Sequence, residues 1–338
     1  MVPKVSFVVP VYNVADHVGR CVRSLCGQTL DDIEIVVVDD CSPDGSVAVV
    51  ERVVADYPGR RGQVRIIRHE SNKGVVQARR TGLLASQGEY VLFIDGDDYA
   101  DVRMAELMHG KAVETGADMV VCDMFQHWEQ GKLWRLRHVP VGGAAETEQI
   151  RDAIINRRAP ISLAAKLFRR NLFLSDGIVW PERWFGEDIV MNISAVLLAK
   201  VIANVPEGLF YYVYNPKSIC RSTDAARQLG KLEDLKANVA LLDDLLQRHG
   251  VRERYDQAVF ISKVRCKNLM LPLMKQRRYR RLYCRTYPEV NRSFLLGDRH
   301  RRPTYRERVW MAVMLLGLYP ALKRIVGSKR LRPREGWK

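Results

Sequence analysis

Over the first hundred positions, short β-branched apolar runs alternate with stretches of helical spacing. Val5-Ser6-Phe7-Val8-Val9-Pro10-Val11-Tyr12-Asn13 is one such run, closed by a Pro and an Asn, and reads as a buried strand entering a loop. Ile33-Glu34-Ile35-Val36-Val37-Val38 repeats the pattern and stops at the acidic stretch Asp39-Asp40-Cys41-Ser42-Pro43-Asp44-Gly45-Ser46. Between them residues 15–26 have helical spacing, with Val18, Cys21, Val22 and Leu25 on one face. A second unit follows, with a strand over 64–68, a helix over 74–86 and a strand from Tyr90 into Asp95. Two βαβ units predict an α/β fold with a parallel sheet whose carboxyl-end loops share one edge.

The rest of the chain is less regular. The spacing predicts a helix over 101–116, a strand over 117–123, a polar-aromatic hairpin or loop over 128–139 and a break at Gly142-Gly143. Helices are expected over 225–250 and 253–274, with Leu235, Val239, Leu242, Leu245 and Leu246 at core spacing. Arg277, Arg278 and Tyr279 read as a solvated face.

Candidate chemistry sits where the fourth strand ends. Tyr90-Val91-Leu92-Phe93-Ile94 runs directly into Asp95-Gly96-Asp97-Asp98. Carboxylates this close repel one another unless a cation neutralises them, and oxygen donors of this kind suit Mg²⁺ or Mn²⁺. Gly96 would leave room for a phosphate to approach the backbone. An acidic turn after an edge strand is the plainer alternative. On the shared edge, Tyr12, Asp39, Asp40 and Asp95 to Asp98 can converge on one crevice.

The order of these motifs resembles glycosyltransferase family 2. The series is Val-Pro-Val-Tyr-Asn, then Val-Asp-Asp-x-Ser-x-Asp-Gly-Ser, then Asn72-Lys73-Gly74 with Ala78-Arg79, then Gly88-Glu89-Tyr90 into Asp95-Gly96-Asp97-Asp98. Lys166-Leu167-Phe168-Arg169-Arg170, Phe185-Gly186-Glu187-Asp188 and Phe210-Tyr211-Tyr212-Val213-Tyr214 with Ser218-Ile219 resemble the bacterial polysaccharide branch, so the likeness covers residues 4 to about 222. It implies an inverting, nucleotide-sugar-dependent enzyme of the GT-A fold, with a Rossmann-like, mostly parallel sheet flanked by helices and a C-terminal helical extension. The expected divisions are a catalytic domain over 1–222 (nucleotide-sugar half 1–100, acceptor half 101–222), a helical extension over 223–298 and a basic tail over 299–338.

The resemblance also implies roles. Asp97 is expected to ligate Mn²⁺ or Mg²⁺ directly, with Asp95 facing the ribose and the metal's waters and Asp98 supporting the loop. Asp40, with Asp39 beside it, can accept from a uracil N–H. The backbone of Pro10, Val11 and Tyr12 can frame the base, with the Tyr12 ring stacked on it. Arg79 is expected near the nucleotide, against the alternative of a helix-surface ion pair. Inversion needs a carboxylate base, and Asp188 is expected to serve, with Glu187 as an acceptor- or sugar-binding partner; simple N-terminal capping would favour the same acids. Val76, Arg80 and Cys41 depart from the family pattern. A side chain at Cys41 implies no demand for a left-handed backbone there.

Composition narrows the setting. Seven cysteines with no Cys-x-x-Cys pair point to a reducing compartment, and no histidine spacing suggests zinc. The first strand begins at Val5, so a cleaved leader is not expected. From Lys275 onward 19 Lys and Arg face 4 acids, which is the whole of the +15 excess; residues 1–274 hold 35 of each sign. Within that tail the uncharged run 309–322, flanked by basic residues, would make a helix about 21 Å long, too short to span a bilayer. Trp310, Met311, Met314, Leu315, Leu318, Tyr319 and Leu322 fit a helix lying in an anionic membrane surface; a helix docked on the protein itself is the alternative. The expectation is a cytoplasmic enzyme, peripheral at the inner face of the cell membrane, that uses a nucleoside diphosphate sugar (UDP) and a lipid-linked saccharide acceptor in bacterial surface-polysaccharide synthesis. A nucleotidyltransferase and a basic nucleic-acid-binding protein are the competing classes; no Gly-rich phosphate loop follows the first strand, and no nucleic acid is expected as a partner.

Overall fold

β1 (Val5–Val11) and β2 (Ile33–Asp39) are buried at every position, as strands of a parallel sheet covered on both faces must be. They pair in parallel, with Val5 opposite Ile33 and Val11 opposite Asp39. β3 (Val64–Arg68) adds to β2, and β4 (Tyr90–Phe93) adds to the other side of β1, both in parallel. α1 (Ala15–Cys26), α2 (Ser46–Ala55) and α3 (Val75–Ala85) are the crossovers. This computed structural model describes residues 2–127, 133–138, 145–215, 224–298 and 304–318. The chain divides into two units, Met1–Pro216 and Lys217–Lys338.

Beyond β4 the first unit continues through β5 (Tyr99–Ala100), α4 (Met104–Thr115), β6 (Met119–His127), β7 (Leu133–Leu136), α5 (Thr147–Ile155), β8 (Lys166–Arg169), α6 (Arg170–Phe173), α7 (Glu187–Leu198) and β9 (Ile202–Tyr212). All nine strands belong to one sheet in the order β3-β2-β1-β4-β8-β6-β9-β5, with β7 on β6. β8 runs antiparallel between β4 and β6, and β9 runs parallel to β6 across a bulge at Cys122 and Asp123. β6 runs on past the strand expected over 117–123, because its outer half is held by β9 and β7, cross-strand partners fixed by tertiary pairing. The hairpin or loop expected over 128–139 is described only in part, and Gly142, Gly143, Ser218 and Ile219 lie outside the described residues.

Alternation assigns the two faces. Phe7, Val9, Ile35 and Val37 pack with Val18, Cys21, Val22 and Leu25 of α1, while Val36 and Val38 turn to the other face and meet Ala78 of α3. Helix α3 reaches the sheet through Gly82, where a Cβ would lie 2.4 Å from Val8 Cγ1 and 3.2 Å from Val38 Cγ2. That close approach fixes the depth of α3, and with it the position of Arg79 one turn earlier.

The second unit contains α8 (Ala225–Arg248), α9 (Asp256–Leu269), α10 (Arg277–Arg285), α11 (Pro288–Leu296) and α12 (Tyr305–Leu315). Leu235, Val239, Leu242, Leu245 and Leu246 are buried, as their spacing predicts. The uncharged run from 309 does not form one long helix. α12 stops at Leu315 in a Schellman motif, with Gly317 at φ +73°, the Gly317 N–H donating to Met314 and the Leu318 N–H donating to Val313. Met311 and Met314, expected on a lipid-facing side, are instead buried as α12 packs on α10 and α11. Tyr319, Leu322 and the rest of the basic tail lie outside the described residues. Among those described, no helix is long and apolar enough to cross a membrane.

Gly82→Ala should lower stability by about 1–3 kcal/mol in chemical denaturation, the range for overpacking a filled core. Gly110→Ala in α4, where a Cβ meets nothing within 4 Å, should be neutral or slightly stabilising. Equal midpoints for the two variants would refute the close-approach reading of α3.

Candidate active site

The ends of β1 and β2 are joined by the acidic loop that follows β2. The Asp44 carboxylate accepts from the Ala15 N–H (3.0 Å) and Ser46 Oγ accepts from the Val14 N–H (3.0 Å), so this loop caps α1, which has no side-chain cap of its own. Burial works against the Asp44 carboxylate, but hydrogen bonds from Ser46 and Ala15 hold it below its ordinary pKa. Cys41 lies at φ +59° and Asn13 at φ +56°. The expectation of no left-handed backbone at Cys41 is therefore corrected: the turn imposes it despite the side chain, a strain of order 1 kcal/mol.

Asp40 is engaged by the protein itself. Oδ1 accepts from the Lys73 N–H (2.8 Å) and contacts His69 Nδ1 (2.7 Å), while Oδ2 accepts from the Gly74 N–H (2.8 Å). His69 Nε2 in turn meets Thr81 Oγ1 at 3.0 Å. This explains the Asn72-Lys73-Gly74 motif physically: it supplies backbone donors to Asp40 and opens α3, with Gly74 at φ +85°. His69 was not legible as part of this bracket from sequence. Asp39 takes the Ser42 N–H on Oδ1 (2.9 Å), and among the described residues nothing donates to its Oδ2. The Tyr12 ring is 40% exposed on the same edge.

Gly96 brings the fourth strand's loop against the first. A Cβ there would meet Val14 Cγ2 at 3.1 Å and the Pro10 carbonyl at 3.2 Å, so the space expected for a phosphate is closed on that side by the chain itself. Asp98 is buried and accepts from the Val213 N–H (2.8 Å), a loop-supporting contact. Asp97 accepts from Asn215 Nδ2 at 3.2 Å. Burial first, and then the charge of Asp95, push Asp97 above its ordinary pKa; Asp98 is raised well above its own by burial, Asp97 and Asp95. Among the described residues no group of three or more His, Cys, Asp or Glu is arranged to enclose a metal ion. Asp95 and Asp97 nonetheless fit an ion such as Mg²⁺, which takes one or two carboxylates and draws its other ligands from phosphate and water. A cation between them would relieve the repulsion that raises Asp97.

One side chain ties this loop to the segment some ninety residues on. Arg79 is buried to 3% exposure; Nη2 donates to Asp95 Oδ1 (2.8 Å), and Nη1 donates to both Glu187 Oε1 (3.0 Å) and Asp188 Oδ1 (2.9 Å). It is thus a bridge between Asp95, in the loop after β4, and the first turn of α7, not a helix-surface pair. Glu187 and Asp188 follow Gly186, the N-cap of α7, which is left-handed at φ +82°. Burial, then Asp188, push Glu187 up against the downward pull of Arg79, so a proton resides more readily on Glu187 than on an ordinary glutamate. Asp188 is the more exposed of the two, at 27% of its side chain against 12%. Val76 is buried and Arg80 is exposed, and among the described residues Arg80 bonds none of the acids of this cluster.

Lys166, the first residue of β8, is fully buried. Its Nζ donates to the carbonyls of Ser162 (2.7 Å), Pro160 (3.1 Å) and Ala164 (3.3 Å) and lies 2.8 Å from His138 Nε2. Burial pulls the ammonium down to about 7, opposed by Cys122 and by the charge of Asp188; His138, buried beside it, stays neutral. Asn192, one turn past Asp188, donates to the Ile161 carbonyl at 2.8 Å and ties the loop over 160–164 to α7. Only the motif spelling at Lys166 signalled any of this.

Residues 6–174 match the sequence model of glycosyl transferase family 2. The chain is 35% identical over 228 residues to the uncharacterized glycosyltransferase EpsJ of Bacillus subtilis, covering 65% of this chain and 63% of that protein. It is 30% identical over 216 residues to the poly(ribitol-phosphate) beta-glucosyltransferase of Bacillus spizizenii, covering 62% of this chain and 32% of the other. The chain thus spans less than two thirds of the length of these relatives. Among solved structures it is similar to S. aureus TarS 1–349 in complex with UDP-GlcNAc, with a TM-score of 0.59 and 22% identity over 88% of this chain and 93% of that one. It is also similar to the mannosyltransferase PcManGT from Pyrobaculum calidifontis in complex with GDP-Man and Mn²⁺, with a TM-score of 0.53 and 14% identity over 97% and 89%. At these identities the structural likeness establishes the fold, and it is the expected GT-A type.

Arg79→Gln would leave Asp95, Glu187 and Asp188 without their shared cation. Breaking a buried pair on one side costs about 3–5 kcal/mol. Without the guanidinium Glu187, already pushed up by burial and by Asp188, would rise further above its unfolded pKa. The variant should therefore be most stable below about pH 4, near the unfolded carboxylate value, and should lose stability relative to wild type as pH rises toward 8. Melting curves at several pH values check this; parallel curves for the two proteins would rule it out.

Proposed function

The chain belongs to glycosyltransferase family 2, and from that premise we propose that it transfers a sugar, with inversion, from a nucleoside diphosphate sugar to a saccharide acceptor. The observation that carries this reading is the Arg79 bridge, which holds an acid of the metal loop and a pair of α7 acids in one cluster. Donor-side and acceptor-side chemistry require that proximity. Asp188, the more exposed acid, takes the proton of the acceptor hydroxyl as its oxygen attacks the anomeric carbon. Glu187, which holds a proton more readily, donates a hydrogen bond to a sugar oxygen. Arg79 supplies the cation that pairs with Asp188 in the resting site.

On the donor side, the base lies between the Tyr12 ring and the backbone of Pro10 and Val11. Its N–H is read by the open Oδ2 of Asp39, since Asp40 is consumed by the Lys73 and Gly74 amides. This assigns to Asp39 the contact first expected at Asp40. UDP is the favoured nucleotide, supported by the UDP-GlcNAc complex of the structural relative. Asp97, with Asp95, would hold Mn²⁺ or Mg²⁺, which when bound stabilises charge on the leaving diphosphate. Asp98 and Asn215 keep Asp97 in place. The acceptor is a lipid-linked saccharide, and the product part of a bacterial surface polysaccharide; the relative named a poly(ribitol-phosphate) beta-glucosyltransferase supports a polymeric acceptor. Work on such an acceptor places the enzyme at the inner face of the cell membrane, with the basic tail over 299–338 near the lipid.

Asp188→Asn keeps shape but takes no proton, so hydrolysis of UDP-sugars and transfer should fall by about a hundredfold or more while UDP affinity changes little. Turnover retained in Asp188→Asn and lost in Glu187→Gln would reverse the two roles. For the donor side, Asp97→Ala should remove the Mn²⁺ dependence of UDP binding in calorimetry, and Asp39→Asn should weaken UDP binding more than it alters the melting temperature. Full activity of wild-type protein in excess chelator would exclude the metal assignment.

A further inference from the structure

In the second unit, α10 carries Arg277, Arg278, Arg280, Arg281 and Arg285 within nine residues. Tyr279 and Tyr283 turn inward and are 5% and 3% exposed. Arg277, Arg281 and Arg285, four apart, therefore form one exposed stripe, with Arg278 beside it. Among the described residues none of these arginines meets a carboxylate. Arg278 donates to Gln276 Oε1 (2.9 Å) and lies over the Tyr279 ring, and Arg280 donates to the carbonyls of Lys275 (3.1 Å) and Met274 (3.3 Å). Elsewhere in the same unit basic side chains do find acids: Arg252 bonds Asp256 at 2.6 Å and Lys263 bonds Glu289 at 2.8 Å. Like charges at four-residue spacing oppose the helix. Here the two buried tyrosines hold it in place, and among the described residues the stripe has no acidic partner.

An apolar feature adjoins the charge. Arg280 lies along the end of α12, where a Cβ on Gly317 would fall 2.8 Å from Arg280 Cδ. The residues on either side of that glycine, Leu316 and Leu318, are 73% and 49% exposed. The Schellman turn thus sets two leucines out in water next to a row of guanidiniums.

We propose that the arginine stripe of α10 and the Leu316-Gly317-Leu318 turn form one docking surface for an anionic lipid bilayer. Guanidiniums bind lipid phosphates through paired N–H donors, and leucines at the same level enter the acyl boundary. A nucleic acid backbone would satisfy the arginines and leave the leucines in water, so a bilayer is the partner that uses both. The surface deepens the membrane part of the proposed function and places an attachment site on a folded helix, apart from the tail over 319–338. It does not depend on the chemistry at Asp97 or Asp188.

The test uses the full chain in flotation with phosphatidylcholine vesicles, with and without phosphatidylglycerol. The intact protein should bind only the phosphatidylglycerol vesicles and release in high salt. Arg277→Gln, Arg281→Gln and Arg285→Gln together should weaken that binding by about tenfold or more, while the matching Lys replacements retain most of it. Leu316→Ser with Leu318→Ser should weaken binding and leave its salt sensitivity. UDP-sugar hydrolysis in solution should be the same in all of these variants. Triple-Gln protein that floats like wild type would overturn the proposal, and so would intact protein that ignores the vesicles but binds RNA. Loss of hydrolysis in the intact chain would count against the proposed function and leave the surface standing.

Discussion

The buried guanidinium of Arg79 is the contact on which the rest of the site depends. Three carboxylates from Asp95, Glu187 and Asp188 point at it from segments that no local rule brings together. Burial and the neighbouring Asp188 favour a proton on Glu187, the guanidinium opposes it, and its three hydrogen bonds set the spacing of the acids. It does so only because α3 lies deep on the sheet, and that depth comes from the missing side chain at Gly82 above Val8. A packing detail of the core thereby sets the electrostatics of the crevice.

The two acids after β2 divide their work in the same way. Asp40 holds the loop that opens α3, through the Lys73 and Gly74 amides, and so contributes to placing Arg79 from its other end. Asp39 takes the Ser42 N–H on one oxygen, and among the described residues nothing donates to the other. Adjacent identical residues thus carry different tasks, because a carboxylate already accepting from three donors has little left to offer a ligand.

Much of the first unit was legible in sequence. Residues in β1, β2, α1 and α3 are close enough along the chain for periodicity to announce them, and the conversion of apolar strand to acidic loop marks the functional edge. The hidden parts are the ones made by distance. Nothing around residue 69 says that His69 will brace Asp40, and nothing around Lys166 says that its ammonium will be wrapped by the carbonyls of Pro160, Ser162 and Ala164. The pairing of β6 with β9 across a bulge is likewise a tertiary choice. At the C-terminal end, periodicity placed an apolar run but could not say which of its faces meets protein. Met311 and Met314 are absorbed by α10 and α11, while the turn at Gly317 leaves Leu316 and Leu318 outside.

Charge is segregated along the chain in a way that suits the proposed chemistry. Residues 1–274 balance 35 acids against 35 bases, and the +15 excess lies wholly beyond them. A crevice that must admit one diphosphate beside its own carboxylates gains selectivity when the surrounding field is near neutral, because a strongly basic rim would collect any polyanion. Attachment to an anionic surface has the opposite requirement, since each added cation strengthens it and little specificity is needed. Confining the excess to the sequence from Lys275 onward lets both conditions hold in one chain. The arginines of α10 then need no acidic partners within the protein, which is how the described residues leave them.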